Sequence, residues 1–342
     1  MSVNDLKRVG ATISYVFALS ETFYDIVFKN GEHVSAGPGG AMLNSSVSLG
    51  RAGIQVSFIS EFGCDRIGNM IHVLLTDNNV STDHLCIYEG KSPLALAFLD
   101  HRTDASYEFY EELPQRRLQI DCPSFSRNDI LMFGSIISLQ KDTREKVEEI
   151  IDAARKAGST VLYDPNFRPS RFHSTDRIRD LINKNIAASD IIRCSQEDMR
   201  LAYRCKGPDE AYDLIRKNGC SHMIYTSGPE GAYLRTPKLS KYYEIPSIKT
   251  VSTIGAGDNF NAGIAYMINS ENMGHPDTFS ESMWDMIIDN AIAFASDACM
   301  NSENYISCEF ARMLKPAKHS HSEPTTGKKG SYHSDQGKHD AK

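Results

Sequence analysis

The sequence predicts an α/β fold: a mostly parallel central sheet covered by helices on both faces, with a small β-sheet lid beside it. Three observations predict this. Short apolar runs alternate with helix-period segments along most of the chain, as parallel strands joined by crossover helices require. Glycines stand just past the expected helix ends, where left-handed caps belong. Two segments break the alternation with paired strand-like arms, one of them around an Asn-Gly turn.

In chain order, the apolar run Ala11–Leu19 reads as a first strand; it lacks a small-residue cleavage site and leads directly into patterned sequence, unlike a signal peptide. Phe23–Ser35 reads as a hairpin turning at Asn30-Gly31. A helix over Ala41–Ala52 is closed by Gly53, then come a strand at Val56–Ser60 and a helix at Arg66–Asn78. Ser92–Tyr110 is strand, polar turn (Asp100 to Asp104) and strand, so segments of about 22–37 and 90–112 are expected to form the lid. Strands follow at Ile130–Phe133, Thr160–Tyr163, Ile191–Arg193 and Met223–Thr226. The helices between them are Lys141–Ala157, Ser174–Ala188 and Pro208–Asn218, with Gly158 and Gly219 as caps of the first and last. No internal repeat is apparent.

At 342 residues the chain is near the size where one core stops growing, so length alone allows one large domain with an appendage or two unequal domains; the expected division is one domain over 1–314 with the lid as its appendage. The remainder, 315–342, has almost nothing apolar to bury and is expected to be disordered. Its His319, His321, His333 and His339 offer at most a weak metal site; a solvated tail accounts for them as well. Six lysines against three carboxylates give the tail +3, which leaves −10 on the body of a chain whose total is −7. That balance argues against nucleic acid as the main partner. No apolar stretch is long enough for a transmembrane helix. Eight cysteines without a C-x-x-C pair fit reduced thiols and a cytoplasmic protein.

The segment TVSTIGAGDNFNAG (250–263) carries the strongest chemical signal. Its turn Gly255-Ala256-Gly257 runs into a helix near Asp258, and unpaired N–H groups at a helix start form an anion site. A carboxylate in such a turn is odd for a simple phosphate cradle. It makes sense if Asp258 accepts a proton from an attacking hydroxyl while the amides hold charge on a phosphoryl group. An Asp N-cap after a glycine-rich turn is the competing reading. Gly37-Pro38-Gly39-Gly40 followed by Asn44 permits close backbone approach, with an amide one turn on that suits a polyol hydroxyl; a tight turn and helix start would look the same. Asp164-Pro165-Asn166-x-Arg168 follows a strand, where open parallel sheets bind ligands, and Arg168 offers a planar donor fork. Thr226-Ser-Gly228-Pro-Glu-Gly231 also follows a strand and is placed to hold nucleotide phosphate or ribose.

These four motifs in this order resemble the ribokinase-like (PfkB) carbohydrate kinases, from about Ala11 to Ile306. Glu21-Thr-x-x-Asp25 and Phe109-Tyr110 make the chain look most like the fructokinases and related hexose kinases. The resemblance implies a three-layer α/β/α domain with a β-lid, ATP as phosphoryl donor and Mg²⁺. Position by position, it makes Asp258 the base, Gly255, Ala256 and Gly257 the anion hole, and Arg168 a contact to acceptor or transferring phosphate. It assigns Asp25, Gly39, Gly40 and Asn44 to the sugar. It assigns Ser195, Thr226, Gly228, Gly231, Gly257 and Asn290 to the nucleotide, and Asp198 to magnesium through water. A homodimer paired through the lids is implied as well.

The chain departs from the family where Ser252 replaces the usual Asp, which puts a monovalent-cation site near the anion hole in doubt. Ser20 stands for the usual Gly, and Ser195-x-x-Asp198 for Asn-x-x-Glu. The expected activity is transfer of the ATP γ-phosphate to the primary hydroxyl of D-fructose, with 2-keto-3-deoxygluconate, ribose or a nucleoside as other acceptors. A catalytically weak sugar or nucleotide sensor on the same scaffold is the alternative from a different class. A nicotinamide dehydrogenase is disfavoured, since no G-x-G-x-x-G follows the first strand. Acceptor selectivity is expected among lid residues such as His101, Arg102, Tyr107 and Phe109.

Overall fold

The computed structural model describes residues 14–99, 105–168 and 175–314. The expected tail and the lid residues His101 and Arg102 lie outside them.

Strand β1 is Val16–Leu19, and every one of its residues is buried. The lid strands β2 (Phe23–Lys29) and β3 (Glu32–Gly39) follow, then helix α1 (Ala41–Arg51), β4 (Val56–Gly63), α2 (Arg66–Asp77) and the short β5 (Val80–Ser81) and β6 (Leu85–Tyr88). The second lid pair is β7 (Leu94–Leu99) and β8 (Ala105–Tyr110). Next come β9 (Ile130–Gly134), α3 (Arg144–Ala157), β10 (Thr160–Asp164), α4 (Thr175–Ala187), β11 (Ile191–Ser195), α5 (Gln196–Tyr203), α6 (Pro208–Lys217) and β12 (Met223–Thr226). The chain closes with the β13 (Ala232–Arg235) and β14 (Ser240–Tyr243) hairpin, α7 (Ala256–Ser270), α8 (Glu281–Cys299) and α9 (Cys308–Met313).

Among the described residues the main sheet has the order β14-β13-β12-β11-β10-β9-β1-β4-β5, with β6 paired to β4. All its pairings are parallel except those of the edge hairpin. Alternation along the strands sorts side chains into two cores. Val16, Ala18, Ile130, Met132 and Leu162 face α1, α2, α7 and α8. Phe17, Leu19, Leu131, Phe133 and Tyr163 face α3 to α6. This is the three-layer arrangement expected of a sheet covered on both sides. Helix α3 buries Val147, Ile150, Ile151 and Ala154, one stripe at helical spacing. The expected caps are in place, with Gly53, Gly158 and Gly219 all at positive φ.

The lid is a separate sheet ordered β3-β2-β7-β8, in which β2 and β7 pair in parallel. Asn30 and Gly31 both have positive φ, as a primed hairpin turn requires. The hairpin is longer than the sequence suggests: Gly37-Pro38-Gly39 is strand, not turn, and the helix begins directly after Gly40. One lid face carries Phe23, Asp25, Val27, Ala95, Ala97, Tyr107 and Phe109, in register and turned to the main domain, where Phe23 and Ala95 pack on Ile136. The first strand starts at Val16, with residues 11–13 outside the described range. Helices α5, α8 and α9 are additional to those expected.

Candidate active site

The C-terminal ends of β10, β11 and β12, the starts of α1 and α7, and the inner lid face all meet in one place. Gly255, at φ 81, turns the chain into α7, a conformation costly for other residues. A Cβ at 255 would also sit 2.5 Å from the Asn304 carbonyl. Asp258 occupies the first turn of α7. Asn44 Nδ2 donates to its Oδ2 at 2.8 Å, and Ser45 Oγ donates to its backbone carbonyl at 2.7 Å, so α1 holds α7 from below. Burial raises the Asp258 carboxyl to about 7; the bond from Asn44 and the charges of Arg193 and Arg168 oppose that rise, while Asp164 adds to it. Asp258 is therefore not a simple helix cap: the cap position is Gly255, which has no side chain to offer.

Asp25 faces Asp258 from the lid. Its carboxyl also rises to about 7, through burial first and repulsion from Asp258 second. Gly39 is required beside it, because a Cβ there would overlap the Asp25 carboxylate. A Cβ on Gly40, at φ 134, would sit 2.6 Å from the Glu21 carbonyl. Glu21 itself is structural, accepting from Ser135 Oγ and from the Ile137 N–H at 2.8 Å. The amide oxygen of Asn44, Oδ1, is buried with no hydrogen-bond partner. A buried acceptor of that kind has a ligand donor as its natural complement. Tyr107, stacked on Phe109 with ring centroids 6.0 Å apart, closes the cleft from above. Its phenol lies within electrostatic reach of Asp25, Arg168, Asp258 and Glu197.

On the opposite wall, Arg168 is half-buried at the end of the loop after β10 and acts on both Asp258 and Tyr107. Asp164 is buried and holds that loop, accepting from the Asn166 N–H at 3.0 Å, Asn261 Nδ2 at 2.6 Å and Arg193 Nη1 at 2.9 Å. Thr226 Oγ1 accepts from Arg193 Nη2 at 2.7 Å. Sequence reasoning missed Arg193, which sits inside an apolar strand; a charged residue in so buried a run is itself a signal, since arginine is almost never buried unless paired.

Other expected site residues take different parts. Ser195 and Asp198 form a capping box at the start of α5, and Asp198 also accepts the Phe167 N–H at 2.7 Å. Gly228 is at φ 54 with open space around it, whereas Gly231 packs under the Tyr242 ring. Asn290, on α8, has a buried Oδ1 with no partner. Ser252 Oγ accepts from the Ile254 N–H at 3.2 Å. No three His, Cys, Asp or Glu side chains converge to cage a metal among the described residues.

Fold and site together have the form of a kinase: a carboxylate at a glycine-flanked helix start, facing a lid, at the edge of a three-layer α/β domain. The pfkB family carbohydrate kinase profile matches residues 4–287, and the chain belongs to that family. It is 31% identical over 244 residues to a fructokinase of Rhizobium leguminosarum bv. trifolii, covering 69% of this chain and 72% of that one. It is 30% identical over 236 residues to "Probable fructokinase-6, chloroplastic" of Arabidopsis thaliana, covering 66% of this chain but only 61% of that protein's length. Against the aminoimidazole riboside kinase of Salmonella typhimurium it is 27% identical over 261 residues, 75% of this chain and 82% of the other. Among solved structures, a double mutant of the Vibrio cholerae O395 fructokinase in fructose, ADP and potassium ion bound form shares the fold at TM-score 0.76 and 19% identity, covering 89% and 99% of the two chains.

Proposed function

We propose that this protein transfers the γ-phosphate of ATP to a primary hydroxyl of a small sugar, D-fructose being the first acceptor to test and fructose 6-phosphate its product. The observation that carries this reading is the half-buried Asp258 carboxylate in the glycine-flanked turn, oriented by Asn44 and faced by Asp25. The sugar lies between the lid and α1. Asn44 Oδ1 and Asp25 accept from its hydroxyls, and the primary hydroxyl points at Asp258. The hydroxyl oxygen bonds to the γ-phosphorus as the bond from that phosphorus to the β–γ bridging oxygen breaks. The released proton goes to Asp258, and ADP leaves. Amides of Gly255 to Asp258 and the Arg168 guanidinium hold the charge on the moving group.

Thr226 and Gly228 flank the nucleotide, and the orphaned Asn290 Oδ1 suits a base amino group. Gly231 supports that loop through Tyr242, and Ser195 does so through its cap. Magnesium, which shields the phosphates when bound, fits this donor set only through its water shell. Asp198, and Asp164 beside it, are already engaged by protein donors, and magnesium keeps several waters in any case. The outer lid face, with Ile26, Phe28, Leu96, Phe98 and Tyr110 on one side of the sheet, is an apolar surface suited to a second copy's lid.

The test is ADP release in a coupled assay over a panel of D-fructose, 2-keto-3-deoxygluconate, ribose and aminoimidazole riboside. A specific hexose turnover supports fructokinase. The stacked Tyr107–Phe109 pair on the inner lid also suits a flat heterocycle, so preference for the riboside selects that second reading. Binding of both substrates without turnover under any cation condition would mark a sensor.

A further inference from the structure

Arg193 is buried in the middle of β11, where it reaches the loop after β10, the loop after β12 and the start of α7. Its Nη1 donates to Asp164, which anchors the loop leading to Arg168, and its Nη2 donates to Thr226 in the nucleotide loop. The guanidinium carbon lies 5.9 Å from the Phe260 ring centroid, on α7. Its fit against Gly257 is the most telling: a Cβ added there would lie 2.7 Å from Nη1 and 2.9 Å from Nη2. The guanidinium is therefore pressed against the backbone of the anion hole itself. The far end of an arginine normally swings away cheaply, but this one is fixed by Asp164 on one side and Thr226 on the other. Its Nε–H, buried and without a partner, shows that the fork is held for those two contacts at the cost of the third donor.

We infer that Arg193 is a positioning residue for phosphoryl transfer: it fixes the Gly257 wall of the anion hole and places a permanent positive charge behind the amides that receive the moving phosphoryl group. This rests on the kinase reading of the same site. Two consequences are chemical. First, glycine at 257 is set by Arg193 as much as by the ligand, since any side chain there meets the guanidinium. Second, lysine is not an equivalent replacement, because one ammonium cannot span Asp164 and Thr226 in the plane of the fork.

The experiment measures kcat and KM for ATP and for the best acceptor, together with Tm, in wild type, Arg193→Lys, Gly257→Ala and the double variant. Turnover by the wild type is read first; its failure over the whole panel overturns the kinase reading and leaves the geometry of Arg193 untouched. With an active wild type, Arg193→Lys is expected to lower kcat at least tenfold while acceptor KM stays within about threefold. Gly257→Ala is expected to be strongly impaired in the wild-type background. In the Arg193→Lys background the same change should cost several-fold less, because the slimmer side chain leaves room for the methyl group. Additive losses in the cycle, or near wild-type kcat in Arg193→Lys with only a lower Tm, overturn the inference. Should Arg193→Lys fail to fold, Thr226→Val keeps the charge and removes one anchor. The same kcat-selective loss is then expected, and an unchanged kcat overturns the inference.

Discussion

Replacing Asp258 with Asn should abolish most activity and at the same time stabilise the protein, and the size of the second effect follows from the site. The folded carboxyl sits at about 7 against an ordinary value of 3.8, because burial disfavours its charge. At about 1.36 kcal/mol for each tenfold change in proton affinity, keeping this group ionised in the fold costs up to about 4 kcal/mol. Asp258 is only half-buried and solvent screens part of that cost, so about 2 kcal/mol is the fairer figure for one substitution. Because the folded pKa is the higher one, the folded state binds more protons between about 4 and 7. The group's contribution is then fullest below about pH 4 and declines as pH rises through about 7. Asn carries no such penalty and still accepts the bond from Asn44 Nδ2. Calorimetric scans at about pH 5, 6, 7 and 8 should show wild type and variant converging at the acid end and the variant higher by roughly 5 °C at the alkaline end. The same variant should lose a factor of ~10²–10⁴ in kcat while still binding ATP. Parallel Tm curves across this range would refute the assignment of a strained, half-buried carboxylate, and near wild-type turnover would remove it as the base.

The pH–rate profile should show the same groups from the other side. If Asp258, raised to about 7, is the base as proposed, kcat/KM for the sugar is expected to rise tenfold per pH unit below that value and level off above it, the pair with Asp25 giving apparent values. Gly39→Ala forces Asp25 out of place and should raise acceptor KM at least tenfold with ATP KM unchanged, read from steady-state kinetics. Arg168→Ala should cost at least tenfold in rate or in acceptor KM; no effect on either excludes it from the site. If the proposed lid-to-lid dimer forms, Leu96→Glu on the outer lid face should convert it to monomers in sedimentation velocity without unfolding the main sheet, and a wild type that sediments as a monomer refutes the dimer.

The alternation of strands and helices, the caps at Gly53, Gly158 and Gly219, and the two lid hairpins were legible in sequence because each is a local property of the chain. Asp258 was legible for the same reason: a carboxylate among glycines at a helix start is unusual within a dozen residues. What escaped were relations between distant segments. The bond from Asn44 to Asp258 spans most of the chain, and it turns a motif into a geometry. Arg193 was absorbed into an apolar run because periodicity ranks a strand by its average and not by its exception. The family resemblance makes Ser195 and Asp198 nucleotide and metal contacts, yet their spacing is also that of a capping box, and their side chains form one. Gly231 permits a turn but is needed for the Tyr242 ring, which only the folded β13–β14 hairpin brings beside it.

An acidic body that binds a polyphosphate must manage like charge, and the arrangement of this cleft shows how. Asp25 and Asp258 face one another with carboxyls near 7, so at neutral pH the pair holds close to one proton between them and presents less than two full charges. Asp164 is tied to Arg193 and Asn261, and Asp198 to the backbone of Ser195 and Phe167, so neither points a free charge at the nucleotide side. Arg168 and Arg193 add positive charge close to Asp258. On the proposed reading, two sugar hydroxyls enter between Asp25 and Asp258 and donate one to each carboxylate, which favours the ionised form of both. If Asp258 is the base as proposed, acceptor binding prepares it, and ATP arriving without a sugar meets a half-protonated pair poorly suited to activate water. Wild-type hydrolysis of ATP without acceptor should accordingly stay at least a hundredfold below sugar-dependent turnover at neutral pH. Should the two rates be comparable, the acid pair does not gate the chemistry.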